Sequence, residues 1–309
     1  MVPEAQTAPE RLRSAGDALY RAAGIDVEHH EDQVAGLRTH WVTAGRAESP
    51  HAVLLHGSGG SAAIWYPALG ALAERRHVIA VDMPGHGETS IPRWTSPGTM
   101  ERMLEWLDAF LDRFDWPLIV GHSLGGYMAL LHFARRRPNV AGMVLVDAAG
   151  IGPRPPAFVM ATRHPVLGAL LGLAAGLRPT RRRMERTIRR LTVDPHRIPH
   201  GQLALEYALQ TASRPGFGRF QFEVYRSVAI RYDEPGYKPW GRLQEISCPA
   251  LLVWGDHDYF PLSNAKQAAS EMPAARLEVL AETGHLSYLE DPSAFNEVLG
   301  SWLRATYEK

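Results

Sequence analysis

The sequence predicts an α/β protein with a mostly parallel central sheet flanked by helices. Short apolar runs recur along the chain and alternate with segments whose apolar residues are spaced three to four apart. The runs are continuously apolar, as in strands buried on both faces of a parallel sheet. Most of them end at a glycine or a polar residue, where ligands bind in open α/β sheets. One long stretch without strand signals predicts a helical insertion.

The predicted elements follow one another in a regular order. A loosely alternating, hairpin-like segment at residues 33–44 comes first. The predicted strands then lie at 52–55, 78–81, 118–120, 143–146, 250–254 and 277–280. The predicted helices between and after them lie at 63–75, 100–113, 124–137, 263–271 and 293–307. Such alternation implies βαβ units joined by right-handed crossovers.

This order predicts three regions. Residues 1–32 are a polar N-terminal extension with weak helical character, and residues 33–150 and 246–309 form the core. Residues 151–245 form a helical cap or lid, inserted after the strand that ends near Asp147. Within it, the apolar run 166–177 has two interpretations. It is a cap helix that lines a pocket, or a lid that opens at a lipid surface with the help of nearby arginines.

Composition excludes several classes of protein. The chain has 309 residues, 33 basic and 33 acidic, and 45% hydrophobic residues, which suffices for a folded core. The neutral total argues against a nucleic-acid-binding protein. A single cysteine, Cys248, excludes an internal disulfide and a cysteine-rich zinc site. We expect no metal and no cofactor.

The longest apolar run is too short to span a bilayer, and no signal peptide is evident at the N-terminus. We therefore expect a cytoplasmic protein without an integral membrane segment, with a homodimer as one candidate assembly. The charge is unevenly distributed, because residues 151–245 carry 15 Arg and one Lys against seven acidic residues. The predicted cap thus has a net charge of +9, and the rest of the chain has −9.

The motif Gly121-His122-Ser123-Leu124-Gly125 follows one predicted strand and opens a predicted helix. A G-x-S-x-G segment in this context forms a tight turn that exposes the serine hydroxyl above the sheet. The small residues on either side relieve the crowding of the turn. We predict Ser123 as a nucleophile; the alternative is a turn in which the serine only caps the helix.

A serine nucleophile needs a base, and the base needs an acid that orients it. In this architecture the chain order is serine, acid, histidine. His285 follows the last predicted strand and is the predicted base. Asp258 follows the strand before it and is the predicted acid, whereas Asp256 is expected to hold the turn. Asp147 remains an alternative acid.

The predicted oxyanion hole consists of the backbone N–H groups of Ser58 and Leu124. Ser58 lies in the loop His56–Ser61, HGSGGS, in which His56 is expected to brace the backbone. A phosphate-binding loop is not supported, because no Gly-Lys-Ser/Thr follows. The residues predicted to contact substrate are Gly57, His122, Trp65, Phe158, Phe260 and Leu286.

Together with residues 82–89, DMPGHGET, these motifs resemble those of α/β-hydrolase-fold serine hydrolases over residues 34–150 and 246–305. The resemblance implies an α/β-hydrolase fold with a helical cap. Haloalkane dehalogenases and epoxide hydrolases of this fold use aspartate as the nucleophile, whereas position 123 is serine. Proline iminopeptidases of this fold need acidic groups to hold an amino terminus, whereas this cap is rich in arginine.

The resemblance leaves two enzyme functions. The preferred one is hydrolysis of a small-molecule carboxylic ester, with a lipase or lactonase as variants of it. The alternative is a carbon–carbon bond hydrolase acting on a dienoate ring-fission product, since HGSGGSAAIW and residues 147–152 are similar to that group. Those enzymes carry Trp after the catalytic histidine and Gly-Pro-Gly in the early loop, whereas this chain has Leu286 and residues 59–61, GGS. A binding protein with an inactive triad is the non-enzyme alternative, which a complete triad disfavours.

Overall fold

A single eight-stranded sheet forms the centre of the protein in a computed structural model, which describes residues 7–137 and 139–308. The strand order is β1-β2-β4-β3-β5-β6-β7-β8. The first six residues of the predicted N-terminal extension lie outside the described residues. The strands are β1 Glu28–Val34, β2 Leu37–Ala44, β3 His51–Leu55, β4 His77–Val81, β5 Leu118–His122, β6 Gly142–Val146, β7 Ala250–Gly255 and β8 Ala275–Leu280.

The sheet is parallel except at one edge. β1 pairs antiparallel with β2, and β2 pairs antiparallel with β4. All later pairs, from β4–β3 to β7–β8, are parallel. Strands β3 to β7 are buried along almost their whole length. This explains why their sequences are continuously apolar, and it confirms the predicted mostly parallel sheet.

Helices cover both faces of the sheet, and the core helices begin and end within two residues of the predicted bounds except at 63–75. There a 3₁₀ turn at Ala62–Trp65 precedes a shorter helix. The helices are α1 Ala8–Ala22, α2 Tyr66–Ala73, α3 Thr99–Leu111, α4 Leu124–Arg136, α5 Ala157–Ala161, α6 Pro165–Ala175, α7 Arg181–Leu191, α8 Gly201–Ala212, α9 Phe217–Arg231, α10 Leu262–Glu271, α11 Ser287–Glu290 and α12 Pro292–Tyr307.

The N-terminal region differs from the prediction of an extension that ends at residue 32. The hairpin begins at Glu28, because the polar segment Glu28–Val34 pairs along its length with β2. Helix α1 packs against α8, with Leu12 and Leu19 buried. An edge strand with a polar, mostly exposed sequence has no apolar periodicity, so the sequence gives no signal for it.

Helices α5 to α9 make up the insertion, residues 151–245, between β6 and β7. Helix α9 is its centre and packs against α5 and α6 as well as against α3 of the core. The insertion therefore rests on the core through α9, and through the contact of α8 with α1. No helix among the described residues has the length and apolar character that crossing a membrane would need.

A buried ion pair joins the edge hairpin to the loop after β4. Asp82 accepts hydrogen bonds from His40 Nδ1–H at 2.7 Å and from the backbone N–H groups of Ala62 at 2.7 Å and Glu88 at 2.8 Å. Burial acts to raise the pKa of Asp82, but His40 and the two amides outweigh it and lower the pKa to about 2. Burial likewise opposes the charge of His40, yet Asp82 raises its pKa above 6.5. His40 also faces His29 and Glu88.

We expect Asp82→Asn to lower the free energy of unfolding by about 3 kcal/mol, because His40 loses its buried counter-charge. The contribution of Asp82 is present above its unfolded pKa of 3.8 and is lost as pH falls toward 2. The contribution of His40 to stability is present below pH 6.5 and is lost as pH rises through its raised pKa. The decrease in the free energy of unfolding caused by Asp82→Asn should therefore be largest between about pH 4 and 6.5.

Urea unfolding at about pH 5.5 and about pH 9 measures this dependence. Asp233→Asn is the matched control, because Asp233 is exposed and pairs only with exposed Arg163 in the described part of the chain. An equal loss at the two pH values would show that the ion pair does not stabilise the fold.

Candidate active site

Ser123 lies in the turn between β5 and α4, with left-handed backbone angles of φ 50° and ψ −113°. Its N–H donates to the Val146 carbonyl at 3.0 Å, and its own carbonyl accepts from the Ala149 N–H at 3.0 Å. The neighbouring strand β6 and the loop after it therefore hold this strained residue in place.

The glycines of the motif allow the turn to pack closely. A Cβ atom on Gly125 would lie 2.2 Å from the Leu55 carbonyl oxygen, and one on Gly121 would lie 2.7 Å from the backbone of Gly126. No side chain fits at either distance. The glycine positions of G-x-S-x-G are thus required by contact with β3 and by the turn itself.

Three predicted residues meet at this turn. Ser123 Oγ lies 2.9 Å from His285 Nε2, and His285 Nδ1 lies 3.0 Å from Asp258 Oδ1. Since the carboxylate accepts from Nδ1–H, Nε2 is left to accept from the serine hydroxyl. Burial lowers the pKa of His285 to about 3, which keeps the imidazole neutral and able to accept a proton.

The backbone of His285 is held from two sides. Its N–H donates to the carbonyl of Leu191, the last residue of α7, at 2.7 Å. Its carbonyl accepts from His122 Nε2–H at 2.9 Å. Burial holds the pKa of His122 well below 6.5, so His122 is neutral and donates from that one nitrogen. The insertion therefore helps to position the imidazole.

The three candidate acids have different surroundings. Only Asp258 contacts the imidazole, and its Oδ1 also accepts from the Phe260 N–H at 3.1 Å. Asp147 instead accepts from the Gly255 N–H at 2.9 Å and from Ser287 Oγ–H at 2.6 Å. Asp256 accepts from the Thr283 N–H at 3.2 Å and holds the turn, as expected.

Asp147 and Asp258 are both buried and influence each other. Burial raises the pKa of both carboxyl groups, and the charge of Asp258 adds to the effect of burial at Asp147. Of the two, Asp258 is the one whose Oδ1 faces His285 Nδ1.

The loop after β3 contacts Ser123. A Cβ atom on Gly57 would lie 2.6 Å from His122 Nδ1 and 3.1 Å from Ser123 Cβ, so only glycine fits there. His56 braces this loop by donating from Nδ1–H to the Gly57 carbonyl at 2.7 Å and accepting at Nε2 from the Met83 N–H at 3.0 Å. Burial lowers the pKa of His56 to about 4, which keeps it neutral for this dual role.

Two cavities meet beside Ser123, and they share Ser58, Phe158 and Tyr225 as lining residues. The smaller one has a volume of about 180 Å³ and is lined by Ser123, Leu124 and Phe260 among others. The larger one has a volume of about 970 Å³ and extends between the core and the insertion. Among the predicted contacts, it is lined by Gly57, His122, Phe158 and Leu286, and Ser58, predicted for the oxyanion hole, lines it as well.

Trp65 is a correction to the predicted pocket. It is fully buried, packs against the Tyr288 ring in a tilted arrangement at a centroid distance of 4.6 Å, and lines neither of these cavities. The 3₁₀ turn that carries Trp65 directs its indole into the buried apolar cluster that also contains Leu54 and Tyr288. Nearness to the glycine loop in sequence was therefore misleading.

One other group of side chains has the composition of a metal site. Donor atoms of His29, His40 and Glu88 lie within 4.8 Å of one another at the edge hairpin. Each already has a protein partner, namely Asp17 for His29, Asp82 for His40 and Arg13 for Glu88. This group belongs to the ion-pair network of the fold and is separate from Ser123.

A model of the Alpha/beta hydrolase family matches residues 52–298. The chain belongs to this family. It is 29% identical over 278 residues to the dihydrolipoyllysine-residue acetyltransferase component of the acetoin cleaving system of Pseudomonas putida, which covers 88% of this chain and 68% of that protein. It is 26% identical over 277 residues to carboxylesterase YbfK of Bacillus subtilis, covering 86% of this chain and 84% of that protein.

Solved structures share the fold of this α/β hydrolase. The 2-hydroxy-6-oxo-6-phenylhexa-2,4-dienoate hydrolase of Rhodococcus sp. strain RHA1 superposes with a TM-score of 0.73 at 24% identity, covering 91% of this chain and 99% of that one. The α/β-hydrolase fold predicted from the motifs, with its helical insertion after β6, is thereby confirmed.

The hydrolase also has polar residues at the site that the sequence motifs do not reveal. Tyr225 and Gln221 of α9 both hydrogen-bond Ser58 Oγ, the tyrosine at 2.8 Å, and so tie the early loop to the insertion. The Tyr259 hydroxyl lies 3.2 Å from His285 Nε2. Adjacency to Asp258 was an available signal for Tyr259, whereas nothing in the helical sequence of α9 marks the other two.

We expect Asp258→Asn to lower kcat of this hydrolase by about 10⁴-fold, because the amide no longer fixes the imidazole tautomer and stabilises its charge. Asp147→Asn is the matched control, since Asp147 does not contact the imidazole and instead binds the Gly255 N–H and Ser287 Oγ–H. It should retain activity to within about tenfold. Steady-state assays of both folded variants decide between the acids, and the reverse ranking would assign the acid role to Asp147.

Proposed function

We propose that this α/β hydrolase cleaves carboxylic esters through an acyl-enzyme. The observation that carries the proposal is the chain of contacts from Ser123 Oγ to His285 Nε2 at 2.9 Å and from His285 Nδ1 to Asp258 at 3.0 Å. A hydroxyl, a neutral imidazole and a buried carboxylate in this order activate serine for attack on a carbonyl. The similarity to carboxylesterase YbfK supports an ester as the substrate.

In the proposed mechanism, Ser123 Oγ attacks the ester carbonyl while its proton passes to His285 Nε2. Asp258 stabilises the resulting imidazolium. The tetrahedral intermediate then expels the alcohol, which takes the proton from His285. Water, activated by the same imidazole, hydrolyses the acyl-enzyme and restores the serine hydroxyl.

Two backbone amides are proposed to stabilise the oxyanion. Leu124 is the first residue of α4, so its N–H has no acceptor within the helix. Ser58 follows Gly57, whose backbone lies against Ser123. One well-placed donor of this kind contributes roughly 3–4 kcal/mol to stabilisation of the transition state.

The unequal cavities favour an asymmetric ester. The small cavity beside Ser123 and Phe260 suits a short group, whereas the large one suits a long or bulky apolar group. Arg154 is the one Arg or Lys of the described chain that lines the small cavity, and it is exposed. The small cavity therefore offers no buried Arg or Lys among the described residues that could bind the carboxylate of a dienoate. This favours ester hydrolysis over cleavage of a carbon–carbon bond.

We expect Ser123→Ala to lower turnover of a p-nitrophenyl ester by at least about 10⁴-fold, because the nucleophile is removed. It should also abolish covalent labelling by a fluorophosphonate probe. Ser58→Ala is the matched control, because it keeps the backbone N–H and loses only side-chain bonds. Its loss should be about tenfold or less.

A ring-fission dienoate, assayed beside the esters, separates the two chemistries. Turnover of the dienoate without turnover of any ester would replace ester hydrolysis by carbon–carbon bond hydrolysis. Ester turnover that survives Ser123→Ala would refute the acyl-enzyme. No turnover and no probe labelling would favour a binding protein.

We expect Ala208→Phe to lower kcat/KM for a long-chain p-nitrophenyl ester by about tenfold and to leave the acetate ester unchanged. Ala208 lines the large cavity, and a phenyl ring there occupies the space assigned to the long group. Ala22→Phe, on the exposed end of α1, is the control. An equal effect of Ala208→Phe on both esters would mean that the long group does not occupy the large cavity.

A further inference from the structure

Helix α6 has an inverted distribution of small and large residues. Its buried positions are Gly168 and Gly172. All of its large aliphatic side chains except half-buried Leu171 are exposed, with exposed fractions of 66% for Val166, 44% for Leu167, 59% for Leu170, 70% for Leu173 and, just beyond the helix, 67% for Leu177. A helix that packs on a protein with one face and meets water with the other normally buries its leucines and exposes its polar or small residues.

Close packing fixes this orientation. A Cβ atom on Gly168 would lie 2.3 Å from the Thr162 carbonyl oxygen, and one on Gly172 would lie 3.1 Å from the Phe222 ring of α9. On the facing helix, a Cβ atom on Gly218 would lie 2.1 Å from the Ala175 carbonyl oxygen. Because the glycines allow α6 to lie this close to its neighbours, the helix cannot rotate to bury its leucines.

A strongly basic helix adjoins this apolar face in the chain. All six arginines of α7 are exposed, and within the described residues only Arg181 has an ion-pair partner, Glu206. Residues 151–193 contain nine arginines and one acidic residue, Glu185. We call the exposed aliphatic residues of 166–177 together with the arginines of α7 the α6–α7 face.

We propose that the α6–α7 face docks on the surface of a phospholipid bilayer that contains anionic lipids. The aliphatic side chains would enter the boundary between headgroups and acyl chains, and the arginines would contact the phosphates. Helix α6 has 11 residues and is about 16 Å long, so it lies on the surface and does not span.

The charge favours a bilayer over a second copy of the chain. A two-fold dimer through this face would bring two sets of unpaired arginines together, and like charges repel most strongly where apolar contact excludes water. An anionic surface instead offers the apolar phase and the negative charge at the same place.

The face is continuous with the large cavity. Leu167 and Leu177 are exposed and also line that cavity, as do Arg183 and Arg189 of α7. A docked molecule would thus present its large cavity to the lipid. As a deepening of the proposed ester hydrolysis, on which this step rests, the substrate would be an ester with a long acyl chain that resides in the membrane.

Co-sedimentation with vesicles tests docking separately from catalysis when the full chain carries Ser123→Ala, because this variant is not expected to hydrolyse the lipid. We expect it to bind vesicles of phosphatidylcholine mixed with phosphatidylglycerol, to bind pure phosphatidylcholine much less, and to dissociate as salt is raised. Leu170→Ser with Leu173→Ser should weaken binding at least about tenfold. Arg186→Gln, Arg189→Gln and Arg190→Gln together should weaken it by about a hundredfold.

Matched variants separate the face from general hydrophobicity and charge. Trp116→Ser with Val279→Ser removes exposed apolar residues elsewhere, and Arg21→Gln, Arg46→Gln and Arg102→Gln together remove exposed charge elsewhere. Both sets should leave binding unchanged. Equal weakening by these controls, or no binding to anionic vesicles, would overturn the proposal.

Light scattering on the same variants tests the competing occupant. A dimer that Leu170→Ser with Leu173→Ser converts to a monomer, in a chain that does not bind vesicles, would assign the face to a second copy. The outcomes for docking and for catalysis are distinguishable. Vesicle binding by a chain without ester turnover would refute the proposed function and leave docking intact. Turnover of soluble esters without vesicle binding would refute docking and leave the proposed function intact.

Discussion

The left-handed turn at Ser123 is the constraint on which the candidate active site depends. The turn exists only because Gly121 and Gly125 admit backbone from the turn and from β3 at distances that no side chain allows. The loop at Gly57, which precedes the residue whose amide is proposed for the oxyanion hole, also lies against the serine. The position of Ser123 and that of the loop proposed for the oxyanion hole therefore both depend on close backbone packing at the ends of β3 and β5.

The insertion lines the large cavity and also hydrogen-bonds residues of the site. The last residue of α7 accepts a hydrogen bond from the His285 backbone, and Tyr225 of α9 binds the side chain of Ser58. The imidazole and the early loop thus each have one anchor in the core and one in the insertion. If α6 and α7 dock on a lipid surface as proposed, the docked helix α7 would be the one that accepts the hydrogen bond from the His285 backbone N–H.

The elements that can be predicted from the sequence are those in which local pattern and burial agree. The fully buried strands β3 to β7 have continuous apolar runs, and the glycine spacing around Ser123 is a direct consequence of the turn. Elements that are stabilised by partners distant in sequence cannot be predicted in this way. Strand β1 is polar and forms by pairing with β2, and Trp65 lies beside the glycine loop in sequence but points into the core.

The fold, the turn at Ser123 and the order of serine, acid and histidine can be predicted from the sequence, because they depend on spacing within short segments. Which of Asp147 and Asp258 faces the imidazole emerges from the folded arrangement, since both follow buried strands and differ in the direction of their loops. The exposure of Leu167, Leu170 and Leu173 of α6 emerges there too, because helical periodicity defines the faces of a helix but not which face a neighbouring helix covers.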